Sequence, residues 1–497
     1  MIPGAKVKEY LRELYINNVM AQDNLKQKTK KGLYWRFLDL FFNQGMQFIV
    51  GIVMARLLSP SDYGITALPV IFIAIANVFI DGGFGLALIR KPELTEKDLS
   101  TSFYYSIIVG ILCYAFLFIA APFIANFYKI PVLTSLIRVT AITFIWSPLN
   151  TPQTVILNRL LDFRTMARIS IVNKILSAVL GIVAAYYGYG LWALVIYSLS
   201  SSLMGVLQSW FVVKWFPKER FSKKSFMYLW NFGNKMIGTR LLDSIFSNIT
   251  PVVIGKYFST SQLGYYNRAL SFGQIPSMQI GGVIQGVTFP VLSKIQNDDA
   301  SLVRGYRKMI KTTAFIVFPL MFLLSALAKP IIMLLLTDKW AESVLLLQIL
   351  CFYLMWGPVS VMNLNLLQVK GRTDLCLSLQ YKKNLFGLII MFLTLPFGLV
   401  AFCCGQFINQ MFTILLNMSA VGKTVGMGYI QQMKDLAPIW LLSFTMFLLS
   451  LLLVNCLDNT WLQLLTGGFV GSLYYIGLSL LLKFDELNEV KYMLNKK

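Results

Sequence analysis

The chain has 497 residues, 57% of them hydrophobic and only 13% charged, with a formal net charge of +22 and no histidine. A soluble protein of this size holds about 25% charged residues, so composition excludes a soluble globular enzyme. The missing imidazole excludes His metal ligands, His general bases and His proton relays.

The first 31 residues are polar and Lys-rich, without the apolar stretch and small-residue cleavage site of a signal peptide. They read as a cytoplasmic basic tail (1–31), either an amphipathic helix through Tyr10, Leu11, Leu14 and Tyr15 or a disordered segment. Beyond them, a helical span needs about 20 apolar residues. The pattern predicts fourteen, near 33–58, 63–89, 102–125, 132–157, 166–187, 190–213, 228–256, 263–292, 311–336, 342–368, 376–396, 398–421, 436–456 and 460–482. Breakers mark the joints: Ser59-Pro60-Ser61-Asp62, Lys129-Ile130-Pro131, Tyr187-Gly188-Tyr189-Gly190 and Pro396-Phe397-Gly398. No sizeable soluble domain fits between them.

Lys and Arg set the expected orientation. Segments on the side of the N-terminal tail hold 34 of the 44 cations, counting 159–174 and 370–383 among them, and the opposite connections hold 5. That bias predicts both termini in the cytoplasm. It also makes much of the +22 a topology signal and a contact with anionic membrane lipids, with no nucleic acid partner expected. The six cysteines fall in or beside apolar runs without a CxxC pair, and read as small buried hydrophobes.

The chain repeats weakly. Ser59, Ser61 and Gly64 recur as Ser259, Ser261 and Gly264, and Gly190, Leu191 and Ala193 recur as Gly398, Leu399 and Ala401. Six spans per copy is an even number, so both copies insert the same way up, with a site expected at their interface. The expected organisation is an N-lobe over 32–213, a cytoplasmic linker over 214–227, a C-lobe over 228–421, and two further spans with a cytoplasmic tail over 422–497.

Charge inside a span is costly and normally faces a cavity or a partner. Span 1 carries Arg36, Asp39, Asn43 and Gln47 on one helical face, and span 7 carries Asn231, Lys235, Thr239, Asp243 and Ser247 at i, i+4 spacing. Two readings stand for each stripe. It lines a water-filled cleft, or its charges form local i, i+3 pairs, Arg36 with Asp39 and Arg240 with Asp243. Arg240 points away from the Lys235 stripe. Asp81, in Asp81-Gly82-Gly83-Phe84-Gly85, balances Arg36, binds a coupling cation, or marks a helix-packing site. Arg138 and Arg268 are further intramembrane cations, and Arg56 is an interfacial anchor. No catalytic motif or metal-ligand set emerges. Gly422-Lys423-Thr424 lacks the earlier glycine of a phosphate-binding loop, where Asn417 stands.

The span 1 exit ARLLSPSDYG (55–64), DGGFGLALIRK (81–91), LNRLLDFR (157–164) and IGKYFSTSQLGYYNRAL (254–270) resemble the polysaccharide flippases, the Wzx-type O-antigen and lipopolysaccharide exporters. These belong to the MOP (multidrug/oligosaccharidyl-lipid/polysaccharide) superfamily. The resemblance covers residues 30 to 485. It implies an all-α polytopic membrane protein of about 14 transmembrane helices, as two six-helix bundles related by a parallel repeat plus two C-terminal helices (MATE/MurJ-like). It implies no enzyme activity. It implies export of undecaprenyl-pyrophosphate-linked oligosaccharide across the bacterial cytoplasmic (inner) membrane by alternating access, for O-antigen, capsule or exopolysaccharide. It also implies a cationic cavity for the pyrophosphate, which Arg36, Arg138, Lys235, Arg240 and Arg268 supply with Asn43, Gln47 and Asn231 for the sugars. No cofactor is expected. Na+ or H+ is the coupling ion, with Asp39, Asp81 and Asp243 as candidates. The partners are the lipid-linked oligosaccharide, membrane lipids and the polymerase or glycosyltransferase machinery of the same pathway. The alternative is an ion-coupled multidrug exporter of the MATE type.

Overall fold

The computed structural model describes residues 22–487 and 489, so the tail helix through Tyr10 and Tyr15 lies outside the described residues. Every regular element among them is helical. Eleven helices or broken helices are long and apolar enough to cross a membrane, and they match expected spans 1–6, 9, 10 and 12–14. Helices also stand at the other three places, Lys223–Tyr257, Thr260–Lys294 and Thr373–Thr394. These three lie outside the eleven. Each carries charge where a lipid-facing span is apolar: Lys235, Arg240 and Asp243, then Arg268, then Lys382 and Lys383.

The chain forms two compact units, through Lys256 and from Tyr257. The first opens with α1 (Gln22–Leu57). Ser59-Pro60-Ser61-Asp62 then starts α2 (Pro60–Ala67): Ser59 and Asp62 form a capping box with proline in the first turn. The expected second span is broken twice, giving α3 (Val70–Asp81) and α4 (Phe84–Arg90). Gly82 and Gly83 both sit in the left-handed region, at φ 54° and 72°, which only glycine adopts without strain. A Thr95–Asp98 capping box starts α5 (Glu96–Tyr128). The fourth span is likewise broken, into α6 (Val132–Thr140), α7 (Thr143–Trp146) and α8 (Thr151–Leu160). Then come α9 (Phe163–Tyr186), α10 (Leu191–Val213) and the long α11 (Lys223–Tyr257).

The segment between α10 and α11 is pinned. Trp215 is 1% exposed, and its Nε1 donates to Glu96 Oε2 at 3.0 Å. The Ser222 N–H donates to Thr101 Oγ1 at 3.1 Å. Around Trp215 pack Phe84, Leu88, Leu99, Phe103 and Leu229. This core draws α11 into the first unit, whereas the sequence places that span at the head of the second copy.

The second unit runs α12 (Thr260–Lys294), α13 (Asp299–Ala326), α14 (Ala328–Leu336), α15 (Ser343–Leu354), α16 (Gly357–Val369), α17 (Thr373–Thr394), α18 (Leu399–Val425), α19 (Tyr429–Cys456) and α20 (Thr460–Leu481). Its centre is α13, whose Tyr306, Phe318 and Phe322 are fully buried against neighbours that include α15 and α19. Ser259 and Gln262 cap α12 with the same box that starts α2. Gly398 leads into α18 at φ 93°, as Gly190 leads into α10 at φ 54°. Of the cysteines, Cys351 and Cys403 are buried, but Cys404 and Cys456 are exposed. A surface facing lipid is itself apolar, so a thiol need not be inside to avoid water.

Candidate functional site

The polar stripes of the first unit lie on α1 and α11, and α9 adds to them. On α1, Asp39 is 9% exposed, and Asn43 Nδ2 donates to its Oδ1 at 2.7 Å. The same amide donates to Ser170 Oγ of α9, also at 2.7 Å. Arg36 Nη1 lies 3.6 Å from Asp39 Oδ2 with its side chain half exposed, so the local i, i+3 pair is present. Gln47 is exposed. The stripe therefore ties α1 to α9 and leaves only its two ends, Arg36 and Gln47, open.

One turn beyond Ser170 lies Lys174, at the midpoint of α9 and half-buried. Its ammonium sits 5.8 Å from the Tyr197 ring of α10 and makes no ion pair among the described residues. Asn173 beside it has a buried Oδ1 with no hydrogen-bond partner. Its Nδ2 fills the space left by Gly205 on α10. Lys174 falls within the cation count over 159–174, among the flanking cytoplasmic cations, but the structure places it in the polar interior. The signal was available: Ser170 and Lys174 share a helical face four residues apart. Lys383 on α17, counted the same way, is 8% exposed.

On α11 the two sides have different work. Asn231, Lys235, Thr239, Asp243 and Ser247 are all exposed, one continuous stripe. The opposite side is docked. Gly233 meets the Gly82 carbonyl so closely that a β-carbon would collide with it. Two turns on, Arg240 forms an ion pair with Asp81. At the far end, Lys256 donates to the Phe127 carbonyl and lies 3.9 Å from the Phe127 ring centroid. Asp81 thus balances Arg240 and not Arg36, and Arg240 is taken by Asp81, not by Asp243. The reason is the left-handed Gly82-Gly83 break. It ends α3 at Asp81 and brings α11 within side-chain reach of it.

The remaining candidates lie apart from this cluster. Arg138 Nε donates to the Phe118 carbonyl at 3.3 Å, and its guanidinium lies 4.1 Å from the Phe118 ring centroid, between α6 and α5. Arg268 belongs to the second unit, over Trp340 at 5.7 Å. Chemically, the stripes of α9 and α11 offer Lys174 and Lys235, two ammonium groups with no carboxylate partner among the described residues. Amides and hydroxyls flank both. Two of the first unit's three intramembrane carboxylates are already occupied.

A family profile described as "Polysaccharide biosynthesis protein" matches residues 53–345. The teichuronic acid biosynthesis protein TuaB of Bacillus subtilis (strain 168) is 29% identical over 366 residues, covering 70% of this chain and 75% of its own. The lipopolysaccharide biosynthesis protein WzxC of Escherichia coli (strain K12) is 23% identical over 424 residues, covering 83% and 85%. The solved structure of the lipid II flippase MurJ in an inward closed conformation superposes with a TM-score of 0.74. It covers 92% of this chain and 100% of MurJ at 18% identity, which shows a shared fold.

Proposed function

The chain belongs to the polysaccharide biosynthesis protein family, and on that premise we propose that it is a flippase for lipid-linked oligosaccharide. It moves an undecaprenyl-pyrophosphate-linked oligosaccharide from the inner to the outer leaflet of the cytoplasmic membrane by alternating access. The observation that carries this reading is the imbalance of uncompensated charge. Asp39 is held by Asn43 and Arg36, and Asp81 by Arg240, while Lys174 and Lys235 have no ion pair among the described residues. A pyrophosphate is the complement to such a surface, because charge-assisted hydrogen bonds strengthen where water is scarce. Asn231, Thr239 and Ser247 beside Lys235 suit sugar hydroxyls.

Both termini face the cytoplasm in this reading, and the polymerase and glycosyltransferases of the pathway are the partners. Asp243 is the exposed carboxylate of the α11 stripe and makes no ion pair among the described residues, so it is our candidate for coupling to Na+ or H+. Asp243→Asn then removes the dependence of transport on an imposed ion gradient in proteoliposomes. Unchanged dependence dismisses the assignment.

The carrying test is Lys174→Gln combined with Lys235→Gln in a strain that depends on this protein for surface polysaccharide. A hydrogen bond to a charged group contributes about 1.5–3 kcal/mol. Export is therefore expected to fall roughly tenfold or more at equal membrane abundance, and unchanged export would overturn the cationic site. An ion-coupled multidrug exporter would need free carboxylates for cationic drugs, and of Asp39, Asp81 and Asp243 only Asp243 lacks an ion pair among the described residues. Drug-resistance profiles of a deletion strain separate that reading, since a flippase leaves them unaltered.

A further inference from the structure

We propose that the polar cleft at the start of α13 is a headgroup site for an anionic phospholipid, and that the acidic segment after α20 competes with the lipid for it. The inference rests on the orientation proposed above, which puts this cleft at the cytoplasmic leaflet. Arg304, Arg307, Lys308 and Lys311 recur at i, i+3, i+4 and i+7, so they share one face of α13. No further charge follows on α13, and the helix continues into its apolar span. The stripe therefore stands at the membrane boundary, where headgroup phosphates lie.

A cleft of about 460 Å³ opens over this face and is closed on its other side by Asp485, Glu486 and Glu489. Volumes of this order hold small ligands, and the lining here is charged. Lys308 Nζ lies 2.6 Å from Glu489 Oε1, and Lys311 pairs with Glu486, which is 4% exposed. Arg307 is anchored separately, by two contacts to Asp435 of α19, with Nε donating to Oδ2 at 2.6 Å. Arg304 hydrogen-bonds to Ser301 Oγ at 3.0 Å and makes no ion pair among the described residues.

The arrangement reads as an occupied anion site. One cation is left over, one is fixed to the fold, and two are held by carboxylates on a short segment that only follows the last span. The Lys308–Glu489 pair joins two partly exposed groups, so it is weakly held and screened by water, whereas the Glu486 carboxylate of the second pair is buried. A phosphodiester offers the same cations two oxygens in the geometry that guanidinium and ammonium groups accept. Basic pockets between transmembrane helices on the cytoplasmic side recognise anionic headgroups in this way. The acidic segment therefore covers the cleft when anionic lipid is scarce and yields it when anionic lipid is abundant.

Native mass spectrometry of the full-length protein in detergent, titrated with phosphatidylglycerol and separately with phosphatidylethanolamine, tests this. Phosphatidylglycerol is expected to be retained in preference. Lys308→Gln with Lys311→Gln weakens its retention, by roughly fivefold for each cation removed. Lys308→Arg with Lys311→Arg preserves retention and controls for folding. Glu486→Gln with Glu489→Gln strengthens retention severalfold. The proposal falls if the Lys→Gln pair binds phosphatidylglycerol like the parent, or if the Glu→Gln pair fails to strengthen binding. It falls equally if inorganic phosphate or undecaprenyl pyrophosphate displaces phosphatidylglycerol at matched concentration, since the cleft would then serve free phosphate or the transported substrate. Lipid retention needs no transport, so failure here leaves the flippase reading standing, and loss of the flippase reading leaves this result standing.

Discussion

Arg240 and Asp81 meet across 159 positions of sequence, and their pairing decides which face of α11 stays open. The i, i+4 stripe through Lys235 was legible because helical spacing alone puts those residues on one face. The partner of Arg240 was not legible. Local spacing offers Arg240 only Asp243, and it is the Gly82-Gly83 turn that brings Asp81 within reach. Both side chains of the pair keep more than a third of their exposure, so solvent screening limits the pair to about 1 kcal/mol of coupling. Unfolding in detergent of the parent, Asp81→Asn, Arg240→Gln and the double variant is expected to show that coupling. Strictly additive effects would mean the pair is incidental. Lys174 departs from the cation count in the same way. It falls in the cytoplasmic cation count over 159–174, although its position, mid-helix and in register with Ser170, marks it as interior.

Among elements, the joints were the most legible feature. A Ser followed three residues later by Asp or Gln is a start signal in local chemistry alone, and both Ser59 and Ser259 begin their helices through capping boxes. Glycines at 190 and 398 enter their helices at positive φ, a conformation that other residues adopt only with strain. The breaks inside spans 2, 4, 9 and 10 were less legible, because each span as a whole stays apolar enough to read as one helix, even where Asp81-Gly82-Gly83 and Ser147-Pro148 interrupt it. The docking of α11 was hardly legible at all, and it yields a paired prediction. Gly233→Ala collides with the Gly82 carbonyl and is expected to destabilise the protein by about 1–3 kcal/mol. Gly238→Ala, five residues along the same helix, has nothing within 4 Å of the new methyl and is expected to be neutral or slightly stabilising through helix propensity. Melting temperatures of the two variants read this directly, and equal effects would remove the close approach as the cause.

For the whole molecule, cation asymmetry predicts the topology. Alkaline phosphatase fused after Gly188 is expected to be active, and fused after Lys218 or Lys497 inactive; the reverse pattern would invert the proposed direction of transport. Reassigning Lys174 and Lys383 to the interior leaves the asymmetry standing, at 32 cations against 5. What the sequence determined by itself is whatever depends on composition and local spacing: a multi-pass helical membrane protein, its joints, its polar stripes and its family. These follow from short-range rules, because a span must satisfy its backbone within itself and a cap is made by residues three apart. What only the tertiary structure decided is which charges neutralise one another, which remain free, and which unit α11 joins. Those outcomes depend on contacts between helices remote in sequence, where a pair of left-handed glycines and one missing side chain at Gly233 set the distances. No periodicity in the chain encodes them.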